Sequence, residues 1–148
     1  MGHLPGSVLF ACTMNSVRSP MAEGILKHLF GHRVFVDSVG VRRGESDPFM
    51  VEVMDEIGID MSRHRAKTFD DLEDSSFDLV ITLSPEAQHS AIELTRTMAC
   101  EVEFWNTFDP TLLQGSREQL LDAYRGVRDG LLKRIKDRFD PGPRSSVG

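Results

Sequence analysis

One stretch constrains this chain more than any other: Ser7 to Glu23, reading SVLFACTMNSVRSPMAE. Val8-Leu9-Phe10-Ala11 is too short for a helix and rich in strand formers, so it reads as a buried strand. Met21, Ala22, Ile25, Leu26, Leu29 and Phe30 then recur on one face at helical spacing. Between strand and helix lies the turn Cys12-Thr13-Met14-Asn15-Ser16-Val17-Arg18-Ser19, followed by Pro20. Proline suits a first helical position, because the amide it lacks would have no partner there. Cys12 is therefore expected at the carboxyl end of a strand and Arg18 where a helix begins.

A loop wrapped in front of a helix N-terminus turns several backbone N–H groups inward and adds the positive end of the helix dipole. Residues Thr13 to Ser19 should thus cradle an oxyanion. Arg18 can offer its planar fork of donors to two oxygens of that anion. The same field favours negative charge on the Cys12 sulfur, and a thiolate beneath a bound phosphate is a nucleophile aimed at phosphorus. Ser16 and Ser19 are close enough in sequence to donate hydrogen bonds to that sulfur. Asn15 is expected to hold the turn in a left-handed conformation, which Asn tolerates. A cysteine ending an apolar strand is more often a small core residue, and Cys-x5-Arg alone is weak evidence. The conjunction of strand, Cys, Asn and Ser turn, and Arg-Ser-Pro opening an amphipathic helix argues for the nucleophile.

VLFACTMNSVRSPMAE resembles the phosphate-binding loop of the low-molecular-weight protein tyrosine phosphatase family, which includes the thioredoxin-coupled arsenate reductases. The resemblance runs from Val8 to about Phe139. It implies an α/β fold with a four-stranded parallel sheet of order 2-1-3-4 and helices on both faces. It also implies a phosphocysteine mechanism and an Asp-Pro late in the chain as general acid.

At 148 residues the chain is long enough for one domain, here expected over residues 1–139. A formal charge of −6 argues against a nucleic-acid binder, which needs a basic face, though not against a phosphorylated substrate met by a local field. Two cysteines, Cys12 and Cys100, are too few for a disulfide framework. No apolar run approaches the ~20 residues that span a bilayer, so no membrane partner is expected. The N-terminus MGHLPGS lacks a secretory pattern, and a reducing cytoplasm suits a reactive thiol. No ligand cluster is spaced for a metal, and the chemistry needs no cofactor.

Met1 to Gly6 reads as a loose end, and Gly31 stops the first helix. A second strand is expected over Val34-Phe35-Val36, ending near Asp37-Ser38. A loop carrying Arg42 and Arg43 then leads to a helix opened by Asp47-Pro48 and closed by Gly58. Residues Ile59 to Lys67 hold the densest positive cluster, Arg63, His64, Arg65 and Lys67. It is either a solvated basic loop or a rim that attracts an anionic substrate. The family resemblance places a comparable segment beside the active site, where His64 or Arg65 would support the loop. Thr68 to Leu72 reads as a short acidic helical turn, and Asp78 to Leu83 as a buried third strand. Ser84-Pro85 starts a helix expected to reach about Met98. Cys100 to Phe104 alternates as an edge strand, with Trp105 either lining the pocket rim or anchoring that strand.

Three Asp-Pro pairs occur. Asp47 precedes a helical pattern and reads as its N-cap. Asp140 begins a Pro/Gly/Ser tail over 140–148, expected to be disordered. Asp109 has no evident structural duty, because the next helix has its own capping box from Ser116 to Gln119. In a parallel sheet, the loop carrying Asp109 emerges at the same edge as Cys12. Asp109 also matches the family's acid. The last helix, from Arg117 to about Phe139, presents Leu120, Tyr124, Val127, Leu131, Ile135 and Phe139 on one side.

The expected activity is hydrolysis of a phosphate monoester on a phosphoprotein or small ester. Cys12 is the nucleophile, Arg18 and the loop hold phosphate, and Asp109 is the acid and then base. Three departures from the family pattern are Thr13 after the cysteine, Val17 before the arginine, and Thr111-Leu112 where phosphotyrosine-cleaving members often carry tyrosines. They leave the chemistry intact and weaken the case for phosphotyrosine as substrate. Arsenate reduction is an alternative that needs further thiols. Cys100 is expected at the sheet edge opposite the pocket, and serines (Ser84, Ser90) stand where the resemblance leads one to expect a resolving cysteine. A binding module without turnover is the third reading.

Overall fold

The computed structural model describes residues 4–72 and 76–140. In chain order the elements are strand β1 (Ser7–Cys12), helix α1 (Arg18–Phe30), β2 (Phe35–Gly40), α2 (Pro48–Asp55), β3 (Leu79–Thr82), α3 (Pro85–Leu94), β4 (Glu101–Phe104) and α4 (Arg117–Phe139). Two 3-10 turns, Phe69–Asp71 and Pro110–Leu112, complete them. The strands form one parallel sheet of order β2-β1-β3-β4, as expected. Residues 1–3 of the expected loose end and 141–148 of the expected tail lie outside the described residues.

The alternation of side chains along a strand divides the core into two layers. Val8, Phe10 and Cys12 face a large cluster supplied by α1, α2 and α4. Leu9, Ala11, Val39 and Val80 face α3 through Ala87 and Ala91. β1 is buried on both sides, which is why its sequence is a continuous apolar run rather than an alternating one. Between β1 and β3 the strand order reverses direction, and in open α/β sheets ligands bind outside the carboxyl ends of strands at such a point. Cys12 ends β1 there.

Several boundaries depart from the sequence reading for identifiable reasons. α1 starts at Arg18, so Pro20 is its third residue; it still falls within the first turn, where no intrahelical partner is lost. β2 runs two residues past Ser38, because it pairs with β1 in register as far as Cys12 opposite Gly40. Its polar residues are accommodated by partners: Asp37 meets Lys67 Nζ at 2.5 Å, and Ser38 is hydrogen-bonded. α3 ends at Leu94 rather than near Met98. Thr95 Oγ1 donates to Ile92 O at 2.6 Å, and such threonine bonds compete with continued helix.

Asp47 caps α2 through Phe49 N and Met50 N, and Ser116 and Gln119 form the capping box of α4. In α4 the inward residue is Leu121, while Leu120 turns toward the pocket described below. Trp105 is buried, edge-on to Phe10 at 6.2 Å, with Arg134 over its ring. It anchors the edge strand and does not line that pocket. No helix among the described residues is long and apolar enough to cross a membrane.

Candidate active site

The turn after β1 holds its shape through one unusual residue. Asn15 has φ 55°, the left-handed region that most side chains avoid, and it is the one non-glycine described residue with positive φ. Its side chain holds it there. Oδ1 accepts from Lys67 N, while Nδ2 donates to Ser19 Oγ and Ser38 Oγ, all at 2.9 Å. His64 Nε2 donates to the Asn15 carbonyl at 2.9 Å, the supporting role foreseen for His64.

The segment after β2 braces the turn from its outer side. Val41 N donates to Cys12 O, Arg42 N to Thr13 O, Gly44 N to Met14 O, and Ser16 Oγ to Glu45 O at 2.8 Å. Two glycines permit this approach. A Cβ on Gly40 would lie 2.7 Å from Asn15 N, and one on Gly44 would collide with Ser16 Oγ. The brace is tied down by Arg42, bidentate to Glu86, and by Arg43 on Asp71.

These bonds consume the carbonyls of the turn and leave its amides. Among the described residues, none of the backbone N–H groups from Thr13 to Ser19 donates to another group of the protein. Much of this turn is buried, and buried amides without partners are rare unless a ligand or water meets them. With the N-terminus of α1 behind them, they form an anion cradle.

Cys12 is 2% exposed, and its Sγ lies 2.9 Å from Ser19 Oγ. The donor directions here can be followed one by one. Asn15 Nδ2 donates to both serine oxygens, and Ser38 Oγ donates to Glu23 Oε1 at 2.5 Å. The Ser19 hydroxyl hydrogen is left to point at Val39 O, 3.3 Å away, or at Cys12 Sγ. Glu23 is in turn held by Lys27 at 2.6 Å. Ser16, expected at the sulfur, points away into the brace.

Arg18 is 7% exposed and anchored by Nη1 donating to Thr107 O at 3.1 Å. Its Nη2 lies 3.5 Å from Asp109 Oδ2. Asp109 does have the structural duty that the sequence hid: its Oδ1 caps the 3-10 turn, accepting from Thr111 N at 3.0 Å and Thr111 Oγ1 at 2.7 Å. Oδ2 remains directed at the arginine. Cys12, Arg18 and Asp109 together line a pocket of about 450 Å³. Its walls are Met14, Phe49, Leu113 and Tyr124, with Glu45 and Asp47 at the brace.

Tyr124 escaped the sequence reading as a pocket residue, since helical spacing marked it only as core. Its hydroxyl donates to Asp47 Oδ2 at 2.7 Å, and its ring meets Phe49 edge-on at 5.4 Å. Burial, followed by the bond to Asp47, pushes its hydroxyl well above the ordinary tyrosine range. Glu23 and Ser38 were also missed. A polar residue recurring inside an apolar helical face, as Glu23 does beside Ala22 and Ile25, was the available signal.

Cys100 sits just before β4, at the amino edge of the sheet, and burial pushes its thiol up. No group of three or more His, Cys, Asp or Glu among the described residues is placed to hold a metal.

The arrangement can bind a tetrahedral oxyanion, attack its centre with sulfur, and present a carboxyl group to what leaves. The chain matches the family model described as low molecular weight phosphotyrosine protein phosphatase over residues 7–141. It is 37% identical over 136 residues to an arsenate reductase of Halalkalibacterium halodurans, covering 91% of this chain and 96% of that protein. Among solved structures it resembles a low molecular weight protein tyrosine phosphatase from T. tengcongensis, with TM-score 0.71 and 30% identity over 88% of this chain and 95% of that one. It also resembles an arsenate reductase in a phosphate-binding state, with TM-score 0.69 and 28% identity over 90% and 95%. A cysteine-based oxyanion site on this sheet, matched along nearly the whole chain, makes the protein a member of the low molecular weight phosphotyrosine protein phosphatase family.

Proposed function

We propose that this protein hydrolyses phosphate monoesters through a phosphocysteine on Cys12. The observation that carries the reading is the convergence on one pocket of a sulfur, a cradle of unpartnered amides, a buried arginine and an aspartate. Cys12 Sγ attacks phosphorus while the amides and Arg18 hold the equatorial oxygens, where transition-state charge collects. The S–P bond forms as the P–O bond breaks, and Asp109 gives its proton to the leaving oxygen. Water then attacks phosphorus, Asp109 takes its proton, and the sulfur leaves with the Ser19 hydroxyl turned toward it.

Arsenate reduction is the second reading, and the name borne by the H. halodurans relative favours it. Arsenate has phosphate's shape and would enter the same cradle. The sulfur would form an S–As bond with loss of water, and an external thiol would attack Cys12 Sγ, sending the bonding pair to arsenic and releasing arsenite. A second thiol would free Cys12 from the resulting disulfide. This chain would have to borrow both thiols. Cys100 lies at the far edge of the sheet, and Ser84, one of the two serines where the resemblance leads one to expect a resolving cysteine, is the N-cap of α3 and accepts from Thr13 Oγ1 at 3.0 Å.

The test is p-nitrophenyl phosphate hydrolysis by wild type, Cys12→Ser and Asp109→Asn, beside arsenate consumption with glutathione or thioredoxin. Turnover lost with the first change and cut about a hundredfold with the second supports hydrolysis. Thiol-dependent loss of arsenate without phosphatase turnover supports the reductase. Silence in both, with phosphate still bound, leaves a binding module.

A further inference from the structure

The basic run after Gly58 is not absorbed by the chemistry above. It folds against the second half of α1 and encloses a separate concavity of about 640 Å³ behind the phosphate loop, with Ile59 and Met61 in its floor. Four lining side chains carry fixed positive charge (Lys27, Arg63, Arg65, Lys67) against two carboxylates, Glu23 and Asp60. The whole chain, by contrast, has a formal charge of −6.

Two of those cations differ from the others in the cavity. Elsewhere on the surface Arg42, Arg43, Arg117, Arg125 and Arg138 each hold a carboxylate, while Arg134 lies over the Trp105 ring and Arg33 stands outside this cavity. Within the cavity, Lys27 holds Glu23 and Lys67 holds Asp37. Arg63 and Arg65 make no ion pair or side-chain hydrogen bond with any described residue; Arg63 has only the longer-range influence of Asp60. Two exposed guanidinium groups on the rim of a concavity, with no anion of the described residues engaged, match the donor geometry that grips phosphate oxygens. The volume falls in the range of small-molecule sites. The cavity also adjoins the catalytic turn, since His64 and Lys67 both lead from its wall to Asn15.

We propose that this cavity is a second anion site, separate from the Cys12 cradle, for a small molecule carrying two or more phosphate groups. Arg63 and Arg65 supply the grip. A single phosphate engages one guanidinium, whereas a polyphosphate spans both, so affinity rises with chain length.

The experiment is an amide chemical-shift titration of the full chain with sodium tripolyphosphate, inorganic phosphate and an acidic peptide of matched charge. It is run on wild type and on Arg63→Gln/Arg65→Gln. Because it needs no turnover, its outcome is independent of the phosphatase reading. Expected are saturating shifts at residues 27–28 and 58–67, with a dissociation constant of about 1 mM or tighter for tripolyphosphate. The double variant should weaken this about a hundredfold, roughly tenfold per arginine, with amide shifts outside residues 58–67 unchanged in the free protein as a check on folding. Shifts confined to residues 12–19, shifts at 58–67 that survive in the double variant, or equal affinity for the acidic peptide would each overturn the proposal.

Discussion

The two cysteines sit at opposite edges of one sheet, and the comparison runs against intuition. Cys12 is the more buried, yet it is the one that lines the pocket; Cys100 is more exposed, and its thiol is pushed up by what burial it has. What distinguishes them is company. Cys12 has a hydroxyl within 2.9 Å, a turn of unpartnered amides and the start of a 13-residue helix. Cys100 packs beside the apolar cluster of Leu9, Phe77 and Val80 and precedes a strand that starts, rather than ends, at its edge. In a parallel sheet the carboxyl edge collects helix N-termini and the amino edge does not. The fold therefore places one cysteine, and not the other, at the edge where helix N-termini gather.

The largest effect that tests this contrast is the paired substitution. Cys12→Ser should lower turnover about ten-thousand-fold or more, while Cys100→Ser should leave kcat/KM within about twofold, read with p-nitrophenyl phosphate. Equal losses would erase the distinction. Asp109→Asn should cost about a hundredfold to a thousandfold, and less for substrates whose leaving group needs no proton, such as p-nitrophenyl phosphate compared with an alkyl phosphate. A uniform loss across leaving groups would reduce Asp109 to its capping role.

Asn15 separates conformation from hydrogen bonding. Asn15→Ala should destabilise the fold by about 3 kcal/mol, since it strands buried partners and forces a left-handed alanine. Asn15→Gly, which restores the backbone freedom, should recover about 1 kcal/mol of that in chemical denaturation. No recovery would mean that the side-chain bonds carry the whole effect.

The smallest effect concerns the pocket wall. The folded Tyr124 hydroxyl is held above its ordinary value, so the stability it contributes is complete below about pH 10 and is lost as pH rises beyond. Tyr124→Phe should cost about 1 kcal/mol at neutral pH and give a flatter decline in denaturation midpoint above about pH 10. An unchanged alkaline slope would assign the decline to other groups.

The turn after β1 was legible because its determinants are local: an apolar strand, a residue that tolerates positive φ, and an arginine opening a helix. Asp47, the Ser116 capping box and the left-handed Asn15 were readable for the same reason. Features that depend on distant segments were not. The brace of residues 41–45 forms because β2 continues in register beyond its apolar residues, and no periodicity announces that. The cap made by Asp109 was hidden because a three-residue turn leaves no pattern in the sequence. Tyr124 satisfied a helical spacing that packing requires anyway, which masked its place in the pocket.

The anchoring of Arg18 has a consequence for how this protein comes into being. Its guanidinium is fixed by the carbonyl of Thr107 and faces Asp109, partners about 90 residues further along the chain. During synthesis at some 5–20 residues per second, the sulfur-bearing turn leaves the ribosome many seconds before the residues that complete it. A nascent or truncated chain thus carries a cysteine and an arginine without their carboxylate or the pocket wall of α4. The pocket is complete only at the end of translation, when the last helix docks, so an unfinished copy carries the sulfur-bearing turn without the groups that enclose it.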